Sequence, residues 1–249
     1  MLVDVHCHID YRDYDKDRDN IIKECAENNV LIVNSTVDPC NLLGLTLAEK
    51  HDNVYCTIGM SPSNLDKEDF EKTKGLIREH EDRIVGVGEV GLDYYWVKDG
   101  EKQDVMEERF RGFIELSTKI RKPLVIHSRD AEERVIEIIA EYGIKPLLHC
   151  FSGSVEQALE AVELGCLISI PTSIAYSKPK KKLAEAIPLD SIVLESDAPF
   201  LAPKPGARNN PVNIKESAVL LSLSKQLVLE DVIETTSRNA ISFYGLKVG

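Results

Sequence analysis

Six polar residues stand at the ends of short β-branched runs, and their types are those that hold divalent ions. In Val3-Asp4-Val5-His6-Cys7-His8-Ile9 two histidines lie two residues apart. On a strand that spacing turns both rings to one face, where both reach a single ion. Glu89 in GVGEVGLDYY, His127 in LVIHSRD, His149 in LLHCFSG and Asp197 in VLESDAPFL close four later runs. Imidazole and carboxylate without thiolate suit Mg, Mn or Zn, and the donor set does not choose among them. Six donors exceed one tetrahedral site, so they predict two divalent ions. A carboxylate such as Glu89 can bridge a pair about 3.5–4 Å apart. Such a pair activates water and clamps the oxygens of a phosphoester, or polarises the carbonyl of an ester or amide.

Weaker signals surround this set. Arg129, two residues after His127, is the best candidate for a phosphate-binding side chain. Tyr94, Tyr95 and Trp96 follow the fourth run and either stack a base or cap a rim. Lys178, Lys180, Lys181 and Lys182 make a basic run that reads as a solvated helix face. His51 and His80 close helical stretches, where the helix dipole favours a cation, and read as structural. Cys7 and Cys150 adjoin candidate ligands, but alternation turns them to the opposite face and gives them a packing role. Ser128 and Ser196 have no general base nearby in sequence, which argues against a Ser-His-Asp hydrolase.

The elements that must position these residues recur along the chain. Eight runs rich in Val and Ile, Leu2–Ile9, Val30–Val37, Val54–Met60, Ile84–Val90, Pro123–Ser128, Pro146–Cys150, Gly165–Ile170 and Ile192–Asp197, predict strands. Helical periodicity lies between them, most clearly over Gln103–Ile120 and Ala131–Tyr142, and two further helical stretches follow the loop Ala202–Pro211. Strands alternating with helices predict an α/β fold with a parallel sheet, best a closed (β/α)8 TIM barrel of one domain over residues 1–249. An open doubly wound sheet is the alternative, but no G-x-G-x-x-G follows the first run. In a barrel all six candidate ligands would share the C-terminal rim.

Composition narrows the class. With 43% apolar and 29% charged residues the chain is neither disordered nor a disulfide scaffold. No apolar run approaches the roughly 18–20 residues that span a bilayer, so no membrane partner is expected. The opening MLVDVHCHID lacks a basic stretch followed by an apolar one; together with six cysteines and no C-x-x-C this predicts reduced thiols and a cytoplasmic location. Net charge is −12, from 30 Lys+Arg against 42 Asp+Glu, which argues against a DNA-coating protein but not against an enzyme whose ions meet phosphates. The oligomeric state is not legible.

VDVHCHID, GEVGLDYYW, PLVIHSRDA, LLHCFSGS and ESDAPFLAP, in this order and spacing, resemble the TatD family of metal-dependent deoxyribonucleases from Leu2 to about Tyr244. The resemblance implies a TIM barrel of the amidohydrolase type, commonly with two divalent ions, that hydrolyses DNA phosphodiesters, often 3′→5′ from an end. It implies that His6, His8, Glu89 and Asp197 hold one ion and Glu89, His127 and His149 the other, with Glu89 bridging and Asp197 taking the proton of the nucleophilic water. Glu89 and Asp197 are thereby the expected catalytic pair. Where the family reads G-x-H-P, this chain has Gly59-Met60-Ser61-Pro62, so Ser61 stands where a His helps engage the substrate phosphate or a water. The loop after the eighth run is shortened but keeps R-N-x-P, with Arg208 as a candidate phosphate ligand. The same site could serve an ester or amide hydrolase such as an aminoacyl-tRNA deacylase, and a third reading is a barrel that binds metal or nucleic acid without turnover.

Overall fold

The β-branched runs become strands and the amphipathic stretches between them become the helices that cover them. The computed structural model describes residues 1–247. Its strands are β1 (Leu2–Cys7), β2 (Val30–Thr36), β3 (Val54–Ile58), β4 (Gly86–Asp93), β5 (Leu124–Arg129), β6 (Leu147–Leu148), β7 (Leu167–Pro171) and β8 (Ile192–Glu195). All pair in parallel with their sequence neighbours, and Asp4 of β1 registers with Leu194 of β8 to close the barrel. Closure excludes the open doubly wound sheet.

The helices are α1 (Arg18–Glu27), α2 (Leu43–Lys50), α3 (Lys67–Glu79), α4 (Gly100–Ile120), α5 (Glu132–Tyr142), α6 (Val155–Glu163), α7 (Lys178–Ala186), α8 (Ile214–Lys225) and α9 (Leu229–Tyr244). Four of these starts follow side-chain chemistry: Asp66, Asp99 and Ser177, before α3, α4 and α7, each accept from a backbone N–H of the first turn, and Ser154 with Gln157 forms a capping box at α6. His51 and His80 are the C-terminal caps of α2 and α3, the helix ends the sequence assigned them.

Apolar side chains between strands and helices make the larger core, with Ile32, Ile126, Ile138 and Phe110 fully buried. A second cluster fills the barrel's N-terminal end: Val3, Val5, Val33, Val125 and Val193 pack with Tyr244 and Leu246. The Tyr244 hydroxyl donates to the Val5 carbonyl at 2.9 Å, so the end of α9 plugs that mouth and leaves the other for the site.

Several strands stop earlier than their apolar runs. Cys150 and Asp197 adopt left-handed backbone, φ 45 and 52, which turns the chain out of the sheet just where β6 and β8 would continue. His149 and Asp197 therefore sit beyond the strand ends, as does His8. In contrast, β4 runs on through Asp93, and this extension carries a carboxylate the apolar pattern did not flag.

Candidate metal centre

The register of β1 on β2 slips between Asp4 and Cys7, and that of β4 on β5 slips between Val87 and Val90. Such irregularities re-aim side chains. In β1 the slip lets Val5 join the apolar plug while the next residue, His6, joins the polar cluster above it. In β4 it lies at Glu89. Two glycines make room for that carboxylate's strand. A Cβ on Gly59 would sit 2.2 Å from the Glu89 carbonyl; one on Gly91, whose φ is 141, would sit 2.1 Å from the His127 carbonyl. No larger residue fits at either place.

The six candidate ligands converge. Glu89 Oε1 lies 2.9 Å from His127 Nδ1 and 3.5 Å from His149 Nε2. Its Oε2 lies 3.5 Å from His6 Nε2 and 3.7 Å from His8 Nε2. Asp197 Oδ1 faces the same two rings at 3.8 and 3.6 Å. Among the described residues His6, His8 and Glu89 form one group close enough to share an ion, Glu89, His127 and His149 a second, and His6, His149 and Asp197 a third.

What fixes the rings is a layer of acceptors behind them. His8 Nδ1 is 2.9 Å from the Ser35 carbonyl, His127 Nε2 is 2.9 Å from Asp93 Oδ2, and His149 Nδ1 is 3.2 Å from Glu195 Oε2. Each acceptor takes the outer N–H and leaves the inner nitrogen's lone pair facing Glu89. Lone pairs facing a carboxylate at such distances need a proton or a cation between them. The donor chemistry therefore fits divalent ions, and the basicities agree. Burial pulls His127 down, but its bonds to Asp93 and Glu89 outweigh this and raise it to about 9. His149 is likewise raised against burial, by Glu195 and Glu89. Burial and then the neighbouring His6 push His8 down to about 3, so its inner nitrogen carries no proton. Burial and the charges of Glu195 and Glu89 raise Asp197 to about 8, against the pull of His149.

A cleft of about 710 Å³ opens over this cluster. Ser61 and Arg129 line it. The Arg129 guanidinium stacks 3.6 Å from the centre of the Tyr95 ring, and Trp96, exposed, lines the same opening. Phe200 and Tyr11 form the opposite aromatic edge, with the Tyr11 ring stacked on His8 at 4.6 Å.

Three expectations need correction. Arg208 is not brought to the cleft: its guanidinium pairs with Asp17, donates to the Asp13 carbonyl and covers the Tyr14 ring, because the shortened loop folds back on the segment before α1. Cys7 is buried in the core, but Cys150 lines the cleft, since its left-handed backbone breaks the alternation that would have hidden it. Of the four lysines only Lys178 and Lys182 are exposed; Lys180 turns inward and also lines the cleft. Asp93 and Glu195 were missed altogether, although both lie inside the motifs GLDYY and VLESD. Glu195, a carboxylate closing the apolar run Ile192–Leu194 as the last residue of β8, was the stronger signal.

A model of TatD-related DNases matches residues 3–245. The chain belongs to this TatD family. A metal-dependent hydrolase of Methanocaldococcus jannaschii is 34% identical over 244 residues, 97% of this chain and 96% of that protein. Deoxyribonuclease TATDN3 of Homo sapiens is 32% identical over 258 residues, covering 98% and 94%. Among solved structures, the TatD homologue YjjV from Escherichia coli K12 superposes with a TM-score of 0.91 at 22% identity, covering 99% of this chain and 98% of that one, a likeness of fold. The TatD barrel is thus that of a metal-dependent hydrolase. Among its described residues no helix is long and apolar enough to cross a membrane.

Proposed function

We propose that this TatD protein is a DNA phosphodiesterase that removes nucleotides 3′→5′ from accessible ends, using two divalent ions. The observation that carries the reading is the position of Glu89, whose two oxygens face two different pairs of histidines. His6, His8, Glu89 and Asp197 would hold one ion, and Glu89, His127 and His149 the other. The naming of human TATDN3 as a deoxyribonuclease supports the choice of substrate.

When bound, divalent ions lower the pKa of water and offset phosphate charge. The chain's own residues do the remainder. Asp93, Glu195 and the Ser35 carbonyl hold the imidazoles in one tautomer. Asp197, ionised once cations offset the charges of Glu195 and Glu89 beside it, would orient the attacking water and accept its proton on a carboxylate oxygen. Arg129, stiffened by Tyr95, meets a phosphate oxygen, while Trp96 offers a face to a base. All six cysteines are free, which suits a reducing, cytoplasmic setting.

The test is release of mononucleotides from a single-stranded oligonucleotide with a free 3′ end, in Mg, Mn or Zn, beside an EDTA control and Glu89→Gln. Metal-dependent release that the variant abolishes while remaining folded is expected; undiminished turnover in Glu89→Gln would overturn the assignment. Ser61 in the cleft favours one second reading, an ester or amide hydrolase on the same centre. Turnover of carboxylic esters or amides without nucleotide release from the oligonucleotide would select it.

A further inference from the structure

A polyanion crossing this cleft meets Glu89, Asp93 and Asp197 on its floor. Phosphate oxygens that meet no metal ion need cations that belong to the chain. Arg129 at the end of β5 is one. Lys180, in the first turn of α7 after β7, is the second cation in the lining. Arg129 ends β5 and Lys180 lies on the helix that follows β7, the strands on either side of β6, so the His149 segment lies between them.

Lys180 is 8% exposed, rare for a lysine. Its amine donates to the Cys150 carbonyl at 2.9 Å and to the Phe151 carbonyl, with the Cys150 thiol at 3.8 Å. Among the described residues no carboxylate pairs with it. An ammonium has three donors; two carbonyls take two, and the third has only the weak, long contact to the Cys150 thiol. Buried charge without a counter-charge is costly, and an uncharged donor would hold the same turn at lower cost. What the site lacks is an anion, and Lys180 lines the cleft where one would arrive.

We propose that Lys180 is a phosphate-binding residue of the cleft, its ammonium contacting a non-bridging phosphate oxygen on the α7 side while Arg129 contacts the chain on the other. The proposal rests on the phosphodiesterase reading for its substrate, but its test does not need DNA turnover.

Inorganic phosphate and thymidine 5′-monophosphate are titrated calorimetrically into the metal-loaded protein and three variants, each with its unfolding temperature recorded. Lys180→Gln keeps a donor for the carbonyls and loses the charge; Lys180→Met keeps the volume; Lys180→Arg keeps the charge. A charge-assisted bond lost predicts an affinity for both anions weaker by about tenfold in the Gln and Met variants, with most of it kept in the Arg variant. Wild-type affinity in a folded Gln or Met variant overturns the proposal. So does equal loss in all three, which assigns Lys180 to holding the turn alone, and so does absence of anion binding by the wild type. Oligonucleotide hydrolysis with unchanged phosphate affinity in the variants sinks this inference and spares the function. Lysine-dependent phosphate binding without any nucleotide release does the reverse.

Discussion

Replacing Asp93 by Asn tests whether the acceptors behind the histidines govern the metal centre. Asp93 Oδ2 takes the His127 Nε2 proton at 2.9 Å, and Oδ1 takes the Trp96 backbone N–H at 2.9 Å. An amide has only one acceptor atom. If its oxygen keeps Trp96, its NH2 faces His127, which must then carry its proton on Nδ1, where a metal needs the lone pair. The lost bond is charge-assisted and partly buried, worth roughly 1.5–3 kcal/mol, or about 10- to 100-fold in metal affinity. A second effect opposes it. With a His127 pKa of about 9, a metal binding at pH 7 must displace a proton at a cost of roughly 2.7 kcal/mol. Asp93→Asn removes most of that cost, because the bond to Asp93 is the first of the interactions that raise the imidazole. The two contributions nearly cancel at pH 7 and separate above pH 9, where no proton competes. Zinc affinity measured against a chromophoric chelator is therefore expected to change by less than about tenfold at pH 7 and to fall about 10- to 100-fold near pH 9.5. A penalty of the same size at both pH values, or none at the higher one, refutes the reasoning. Nitrogen-15 NMR of the His127 ring provides the direct check on the tautomer.

Other perturbations read other parts of the barrel. Gly91→Ala drives a Cβ to 2.1 Å from the His127 carbonyl at φ 141; urea unfolding should show a loss of roughly 3 kcal/mol, and a loss under about 0.5 kcal/mol contradicts the packing. In chelator-treated protein His127 and Asp197 are raised to about 9 and about 8. Raised groups stabilise the fold below their ordinary pKa and lose that contribution as pH rises through the shifted value. Stability should thus fall between pH 6.5 and 9, by roughly 3 kcal/mol for His127 alone, while saturating metal removes the decline. An unfolding temperature flat across that window without metal would count against the proton-filled cluster. Arg129→Ala should raise KM for an oligonucleotide about tenfold, whereas Arg208→Ala, remote from the cleft, should leave turnover within about twofold of wild type; steady-state kinetics that reverse this order would restore the sequence's view of Arg208.

How far the sequence could be read depends on which interactions are local. Parallel strands in a barrel end on one rim whatever their order, so a polar residue closing an apolar run is placed by topology alone. His6, His8, Glu89, His127, His149 and Asp197 were visible for that reason. The acceptors behind them were not. Asp93 serves His127 across the β4–β5 pair, and Glu195 serves His149 from a strand two away, so each depends on register and not on spacing. Lys180 looked like its neighbours because a run of lysines does not say which way the helix is turned. Arg208 was misplaced because its partner, Asp17, lies 191 residues earlier, and no local pattern records that bond.

The seam between β1 and β8 carries a consequence for synthesis. His6 and His8 leave the ribosome first and Asp197 almost two hundred residues later, yet they face each other at 3.6–3.8 Å. Asp4 waits equally long for the Ser196 N–H that it receives at 2.8 Å. A nascent chain therefore carries histidines and Glu89 but no finished hydrolytic centre until its last strand has emerged and closed the ring. A hydrolase built this way has no complete candidate centre until the barrel's last strand meets its first.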